Sequence, residues 1–592
     1  VFLVTATPVI HSGKFHFHFD SDALNGLGSL LPFPLPPISM KGGTQLVLPL
    51  DSLQGPLQKR GMRAHDVAEK ALKDMRPTLL LFLRKLECVE TIDRNRGQIR
   101  RMTKEVLDTE VGGSSCQEIK LKLEDTSTSV QNTEERWLVY TKTVPLQSEA
   151  MTELKLAFRL DKPADVEQAY AWLPLRSYGL RFLIQADWRV PSSREAITDN
   201  VFNQRIRDQV PDAYAEAAKI ITTAALKDMK AVTGTQKQLE DGIEAARQTL
   251  MPLYTSTPRA GDAADFFQGT DVGILQAVRE VPVILVRVPC SGVKKEDTEL
   301  RSDETEDEGI QWRLDLVTPQ RAVRAELPEG VPASLSHLQQ PIEMLLAQAD
   351  FYVEVGGLPA RAAEGLRIPV LDADVAISCL EAMGKLRSPQ SPGAEANANL
   401  TDEDMDVLQL LLLIVAVAAT KKPQFVENVK NLQIIPTEGG RLVSLNAEEA
   451  KGFSVYDVPA DMVGIEALLG AGQRLDPRLS HKAVSEVRKF LVDLGVEQVD
   501  GLAFFTNVLL PVLTQSEAPE VEKLVLATRQ LKDLLFLCED QEKKDSLIQQ
   551  LHASDAGWWV LTASGGQECT AVKVGGSTGK GLHVSSLPSK LA

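Results

Sequence analysis

An α+β chain is predicted by a change of pattern along the sequence. Strand signals dominate up to Trp188, and helical periodicity prevails from Asn203 onward. A 13-residue apolar run, Val407–Ala419, adds a helix buried on all sides. Phe15, Phe17 and Phe19 alternate with His16 and His18, the period of two that puts aromatics on one strand face. A Gly- and Pro-rich loop follows, then TQLVLPL from Thr44 reads as a strand. His65–Lys85 has helical spacing that Pro77 breaks. LKLAF (Leu154–Phe158) and LRFLIQADW (Leu180–Trp188) read as strands, Asn203–Met229 as helix. LQIIP (Leu432–Pro436) and WWVLTA (Trp558–Ala563) are short strands in an otherwise helical remainder.

Charge excludes one function class. Lys and Arg number 64 against 81 Asp and Glu, a net charge of −17, which is wrong for a general nucleic-acid binder. The cluster Arg94, Arg96, Arg100, Arg101 and Lys104 reads as a solvated turn and strand edge. The run Val407–Ala419 is too short for the roughly 20 residues that span a bilayer. Thr401 and Asp404 give it a capping-box start, with Asp402, Glu403 and Asp404 at the positive end of the helix dipole, so a core helix and no membrane span are expected. Six scattered cysteines include no CxxC pair, which removes zinc-ribbon and thioredoxin-like readings and suits an intracellular, reducing compartment, cytoplasmic or nuclear. The chain opens on Val1, with no basic signal-peptide start, and reads as a piece cut inside a strand or helix.

Two linkers divide the sequence. Glu296–Glu308 carries eight carboxylates and one Arg, a self-repelling run read as a mobile loop. Arg387–Asn399 is rich in Pro, Ser, Ala and Asn.

Few residues suggest chemistry. His16 and His18 lie two apart on one strand, but no third ligand can be nominated, so no metal site is assigned. GGSTG (Gly575–Gly579) matches the nucleophile-elbow pattern, yet Lys580 and Gly581 follow where a helix is required. It also fails as a phosphate loop, since Val574 stands where the first Gly belongs. The segment Ala171–Glu195, AWLPLRSYGLRFLIQADWRVPSSRE, stands apart. A strand runs into a polar turn, and Arg194 falls in the first turn of a following helix that Ser192 or Ser193 caps. An arginine so fixed either aims its fork at a phosphate or pairs locally with Glu195 or Asp187.

These residues also carry a resemblance. VFLVTATPVIHSGKFHFHFD followed by GGTQLVLPL resembles the second half of a GHKL-type ATPase domain, the nucleotide fold of the ninety-kilodalton heat-shock chaperones. Gly43 and Thr44 match the Gly-Thr that begins the last strand of that fold, which implies a place in the nucleotide pocket. Ser193, Arg194 and Glu195 match the SRE element of the family's middle domain, which implies that Arg194 reaches the terminal phosphate of ATP. LLLFLRKLECVE, LPLRSYGLRFLIQADWRVPSSRE, LQIIPTEGGRLVSL and VEQVDGLAFFTNVLLPVL resemble the NO VEIN and sacsin-like family, from Val1 to about Ala563 and thinly between Cys290 and Glu343.

The resemblance implies an order of parts. Residues 1–50 would be the C-terminal part of the GHKL-type sandwich, 51–200 a transducer-like middle domain and 201–290 a helical extension. An acidic linker (291–308), a mixed module (309–386), a second linker (387–400) and a helical-rich region (401–592) would follow. The family's Asn-bearing magnesium helix and its Asp-x-Gly-x-Gly adenine segment are expected upstream of Val1. The intact protein would then use ATP and Mg2+ as a slow ATPase with a chaperone-like role, and the piece alone would bind neither. The alternative is an interaction scaffold without turnover. A hydrolase built on GGSTG is a weaker third reading.

Overall fold

The computed structural model describes residues 2, 4–39, 42–50, 56–94, 96–107, 115–126, 132–146, 151–230, 236–290, 312–324, 326, 339–386, 400–438, 440–445, 455–457, 468–469, 473–482, 484–498, 505–515, 517, 519–537, 545, 549, 558–564 and 568–574. The acidic run, the Arg387–Asn399 linker and GGSTG lie outside these residues. The fold is α+β, and it forms two compact units: residues 1–221 with 251–277, and residues 222–250 with 278–592.

The first unit holds two sheets. The smaller takes β1 (Val9–Ser12), β2 (Phe15–His18), β3 (Phe33–Pro34) and β4 (Thr44–Val47) in the order β3-β2-β1-β4. The strand expected from TQLVLPL is thus its first four residues. Phe17 and Phe19 meet edge to face at 5.5 Å, as the alternation requires.

A helical turn (α1, Pro56–Lys59) and α2 (Ala64–Asp74) lead into the larger sheet, and Pro77 opens a separate 3-10 turn, Pro77–Leu80. Its strands are β5 (Cys88–Asp93), β6 (Gln98–Leu107), β7 (Cys116–Asp125), β8 (Thr133–Pro145), β9 (Met151–Arg159), β10 (Gln168–Ala171), β11 (Leu173–Ser177) and β12 (Leu183–Gln185). They run in the order β11-β10-β12-β9-β8-β7-β6-β5, antiparallel except for β10 beside β12. Of Leu180–Trp188 only Leu183–Gln185 is strand: before it the Leu180 carbonyl accepts from Glu167 outside the ladder, and after it Ala186 keeps a single bond to Tyr170 of β10.

The pleat sorts the side chains of this sheet. Met102, Leu121, Trp137, Val139 and Ala157 pack with Leu80, Leu81 and Phe82. The alternate positions include Phe158, which with Phe182 holds Tyr214 of α4 (Val210–Lys230) at 5.5 and 5.1 Å. The basic cluster sits on the β5–β6 hairpin. Arg96 bonds Glu69 at 2.9 Å, and Arg100 bonds Asp125 and the Leu72 carbonyl at 3.0 Å each. These are the partners of a structural turn, and Lys104 likewise donates to the Leu83 carbonyl.

A correction concerns the segment after β12. No helix begins at Arg194, and neither Ser192 nor Ser193 caps one. The next helix is α3 (Val201–Arg207), capped by Asn200, whose side chain accepts from the Asn203 N–H at 3.0 Å. Beyond α4 come α5 (Gln236–Ser256) and α6 (Thr270–Arg279).

In the second unit, strands Ile284–Pro289 and Trp312–Val317 pair antiparallel. Arg287 on the first bonds the buried Glu343 through two 2.5 Å contacts. The central element is the helix Asp402–Lys421. The expected capping box is formed: Asp404 N–H donates to Thr401 Oγ1 at 3.1 Å, and Thr401 N–H to Asp404 at 2.9 Å. Leu408, Leu410, Leu411, Leu412 and Val415 are fully buried, packed among the helices Ala373–Leu386 and Ser485–Asp493. Arg478 ties the start of this helix to its surroundings through Asp402, Asp476 and the Leu400 carbonyl. The strand expected over Leu432–Pro436 is only Ile435–Pro436, while that at Trp558 runs to Ser564. Among the described residues no helix is long and apolar enough to cross a membrane.

Candidate functional site

The stretch singled out in the sequence, Ala171–Glu195, builds one local structure in the first unit. Gly179 is its pivot. At φ +90° it brings its backbone against the loop after α5, where a Cβ would stand 2.0 Å from the Asp262 carbonyl oxygen. Tyr178, beside it, accepts the Ala264 N–H on its carbonyl at 3.0 Å and the Ile197 N–H on its hydroxyl at 2.8 Å. Its ring meets Phe267 edge-on at 5.2 Å, and Trp188 closes on Phe266 and Phe267 at 5.9 and 5.6 Å. This aromatic cluster is the floor under the loop Arg189–Asn200.

Asn203 closes that loop from inside α3. Fully buried, it accepts the Arg189 N–H at 2.9 Å and donates to the carbonyls of Arg189 and Thr198 at 2.8 and 2.6 Å. The Thr198 N–H returns to the Arg189 carbonyl at 3.1 Å. Each of these bonds engages a backbone polar group of the loop, and the Arg189 carbonyl accepts two of them.

Arg194 sits at the tip. Its N–H closes a turn onto the Pro191 carbonyl at 2.9 Å, and its φ is +55°, a left-handed conformation that costs a non-Gly residue on the order of 1 kcal/mol. The side chain is exposed, and Nη2 donates to the Ala171 carbonyl at 2.6 Å. The sequence alternative of a local pair with Glu195 or Asp187 does not form. Asp187 is taken by Trp172 Nε1 and Thr152 Oγ1, each at 2.9 Å.

The anchor for Arg194 is itself unusual. Ala171 precedes Trp172, whose φ is +64° and whose N–H is held by the buried Gln185 side chain at 2.7 Å. Arg84 lies over the Trp172 ring at 4.5 Å. Two strained residues therefore flank one hydrogen bond, with cationic side chains exposed on that side. Sequence reasoning missed Trp172, Gln185 and Asn203 as parts of this assembly. The run Asp199-Asn200-Val-Phe-Asn203 was the available signal, since it holds an N-cap candidate equal to the serines upstream.

Gly43 and Thr44 lie elsewhere in the unit. Thr44 begins β4, and its hydroxyl meets Ser12 of β1 at 2.6 Å. No atom stands within 4 Å of where a Gly43 Cβ would be, so a ligand could approach its backbone. Gly43 and Thr44 lie at the start of β4 in the smaller sheet, Arg194 lies on a loop that follows the larger one, and they share no hydrogen bond among the described residues. His16, read in the sequence beside His18, instead faces His11 across the strand pair, Nδ1 to Nδ1 at 2.9 Å.

Fold and site define an α+β protein that presents an arginine on a strained, internally braced loop. No family model and no solved structure matches the chain. It is similar to Protein NO VEIN of Arabidopsis thaliana, 28% identical over 317 residues, which covers 48% of this chain and 10% of that protein. The chain thus spans about a tenth of the length of the curated relative it matches.

Proposed function

We propose that this chain serves, within a longer NO VEIN- or sacsin-like protein, as part of a GHKL-type ATPase unit with a chaperone-like, nucleotide-driven conformational role. Arg194 would contact the terminal phosphate of ATP, and Gly43 and Thr44 would border the nucleotide. The observation that carries this reading is the left-handed, exposed Arg194, because strain of this kind persists where the surroundings over-determine it and function makes use of it.

The residues present suit a phosphate. One nitrogen of the Arg194 fork is spent on Ala171, which orients the group, and no other hydrogen bond or ion pair engages it among the described residues. Holding the guanidinium in advance lowers the entropy lost on docking. Among the described residues no three His, Cys, Asp or Glu side chains are grouped to hold a metal ion, and by the resemblance the magnesium would be held by the Asn-bearing helix expected upstream. Bound ATP supplies the phosphoryl group and its developing charge; Arg194 offsets that charge.

The rival reading is a scaffold without turnover; an intact Asn helix and Asp-x-Gly-x-Gly segment upstream of Val1 would favour the ATPase, and their decay the scaffold. One experiment separates the two. In the full-length protein, Arg194→Ala should lower steady-state ATP turnover by about 10³-fold while leaving nucleotide affinity nearly unchanged, and Arg194→Lys should rescue poorly. Unchanged turnover in Arg194→Ala would remove the arginine from the chemistry, and no turnover in the parent would leave the scaffold. The polypeptide 1–592 alone should show no ATP binding at millimolar nucleotide by calorimetry; micromolar affinity would contradict this.

A further inference from the structure

We infer that His11 and His16 form a two-histidine chelate for a divalent transition metal of square or tetragonal geometry, Cu2+ or Ni2+. The inference is independent of the nucleotide reading and rests on the hairpin His11-Ser-Gly-Lys-Phe-His16. Gly13 and Lys14 make its two-residue turn, with Gly13 at φ +56° in the first central position, where such turns demand glycine. Ser12 and Phe15 pair next to the turn, and His11 pairs with His16 one step further. In a two-residue hairpin that second pair is the non-hydrogen-bonded kind, whose side chains stand closest.

The rings meet as this predicts. Their centroids are 5.1 Å apart, tilted by 48°, with the two Nδ1 atoms 2.9 Å apart. His11 is only 8% exposed and lies between β2 and β4, opposite Gln45, so its ring has little freedom. His16 is half-buried, which leaves the pair a side open to solvent.

The separation selects the metal. At a metal–nitrogen bond of about 2.05 Å, a 90° bite places two nitrogens about 2.9 Å apart, and a tetrahedral bite about 3.3 Å. The spacing of the pair therefore matches Cu2+ and Ni2+, whose binding would turn the two lone pairs from the Nδ1–Nδ1 hydrogen bond toward the metal, whereas Zn2+ would also have to spread the nitrogens by about 0.4 Å. Chelation replaces the single proton shared between the Nδ1 atoms; that proton moves to Nε2 of the same ring, and no net proton is lost. With two protein ligands, water fills the remaining positions.

His18 supplies a control. It lies on the same face two residues along, and its Nδ1 is buried without a hydrogen-bond partner. It stacks on Phe33 at 5.3 Å rather than joining the pair.

The test is calorimetric titration of the polypeptide with Ni2+, chosen because it does not oxidise the exposed thiols of Cys88 and Cys290. The parent should bind one Ni2+. His16→Asn, at the half-buried partner, should weaken binding by about tenfold or more, and His18→Ala should leave it unchanged. Cu2+ added to the thiol-alkylated protein should show electron-spin coupling to two nitrogens. Undiminished Ni2+ binding in folded His16→Asn, absence of binding in the parent, or a copper spectrum without nitrogen coupling would each overturn the assignment. Should His16→Asn fail to fold, the copper spectrum of the parent decides alone.

Discussion

Arg194 donates a 2.6 Å hydrogen bond to the carbonyl of Ala171, the residue before Trp172, and both Arg194 and Trp172 have left-handed backbones. The bond joins the tip of the Arg189–Asn200 loop to the end of β10, so the guanidinium reports the conformation of both. Its consequences can be measured without knowing a substrate.

The first concerns the order of two small substitutions. Arg194→Ala loses the bond to Ala171 and keeps a Cβ at φ +55°, whereas Arg194→Gly loses the same bond and relieves the backbone. Glycine should therefore be the more stable of the two by about 1 kcal/mol, the reverse of the usual ranking. Urea midpoints of the two variants decide it, and an alanine variant equal or superior would show that the left-handed conformation is not occupied.

Asn203→Ala should cost about 3 kcal/mol. It strands the Arg189 N–H, which costs about 1–3 kcal/mol, and takes one donor each from the carbonyls of Arg189 and Thr198, about 0.5–1.5 kcal/mol apiece, although the Arg189 carbonyl keeps the Thr198 N–H. Asn203→Asp should be at least as harmful, since a carboxylate cannot donate to the carbonyls of Arg189 and Thr198. Limited proteolysis should cut near Arg189–Asn200 in both variants; resistance equal to the parent would mean the loop closes without Asn203.

Gly179→Ala should be among the most damaging single-methyl changes in the first unit, costing about 3 kcal/mol or more. Its Cβ would stand 2.0 Å from a backbone oxygen, and φ +90° is unfavourable for any side chain. A thermal midpoint within a degree or two of the parent would refute the close approach to Asp262.

Glu167 gives a pH dependence. Burial pushes its carboxyl from the ordinary 4.5 up to about 7, with Arg159 opposing the rise and Glu135 and Asp165 adding to it. Between those two values the folded state holds more protons than the unfolded one, so this group's contribution to stability is present below about 4.5 and is lost as pH climbs through 7. Glu167→Gln, which cannot ionise, should flatten that decline when urea midpoints are compared from pH 4.5 to 8. Parallel profiles for variant and parent would place the carboxyl in water.

What the sequence determined were features fixed by near neighbours. The helix Asp402–Lys421 was legible from its first four residues and its apolar run, because a capping box closes within one turn and a wholly apolar helix has nowhere to go but the core. The alternation at Phe15–Phe19 was legible because side-chain direction in a strand repeats every two residues. Arg194 was legible as a residue of interest, and its setting was not. Ser192, Ser193, Thr198, Asp199 and Asn200 can all cap a helix, and the choice of Asn200 was made by Tyr178 and Asn203, which claim the amides and carbonyls between Arg189 and Thr198. The histidines show the same division. Two residues along a strand are about 6.7 Å apart, while cross-strand partners stand about 4.5–5.5 Å apart, so His16 meets His11 and not His18. Only the folded register, set by the turn at Gly13 and Lys14, could choose that partner.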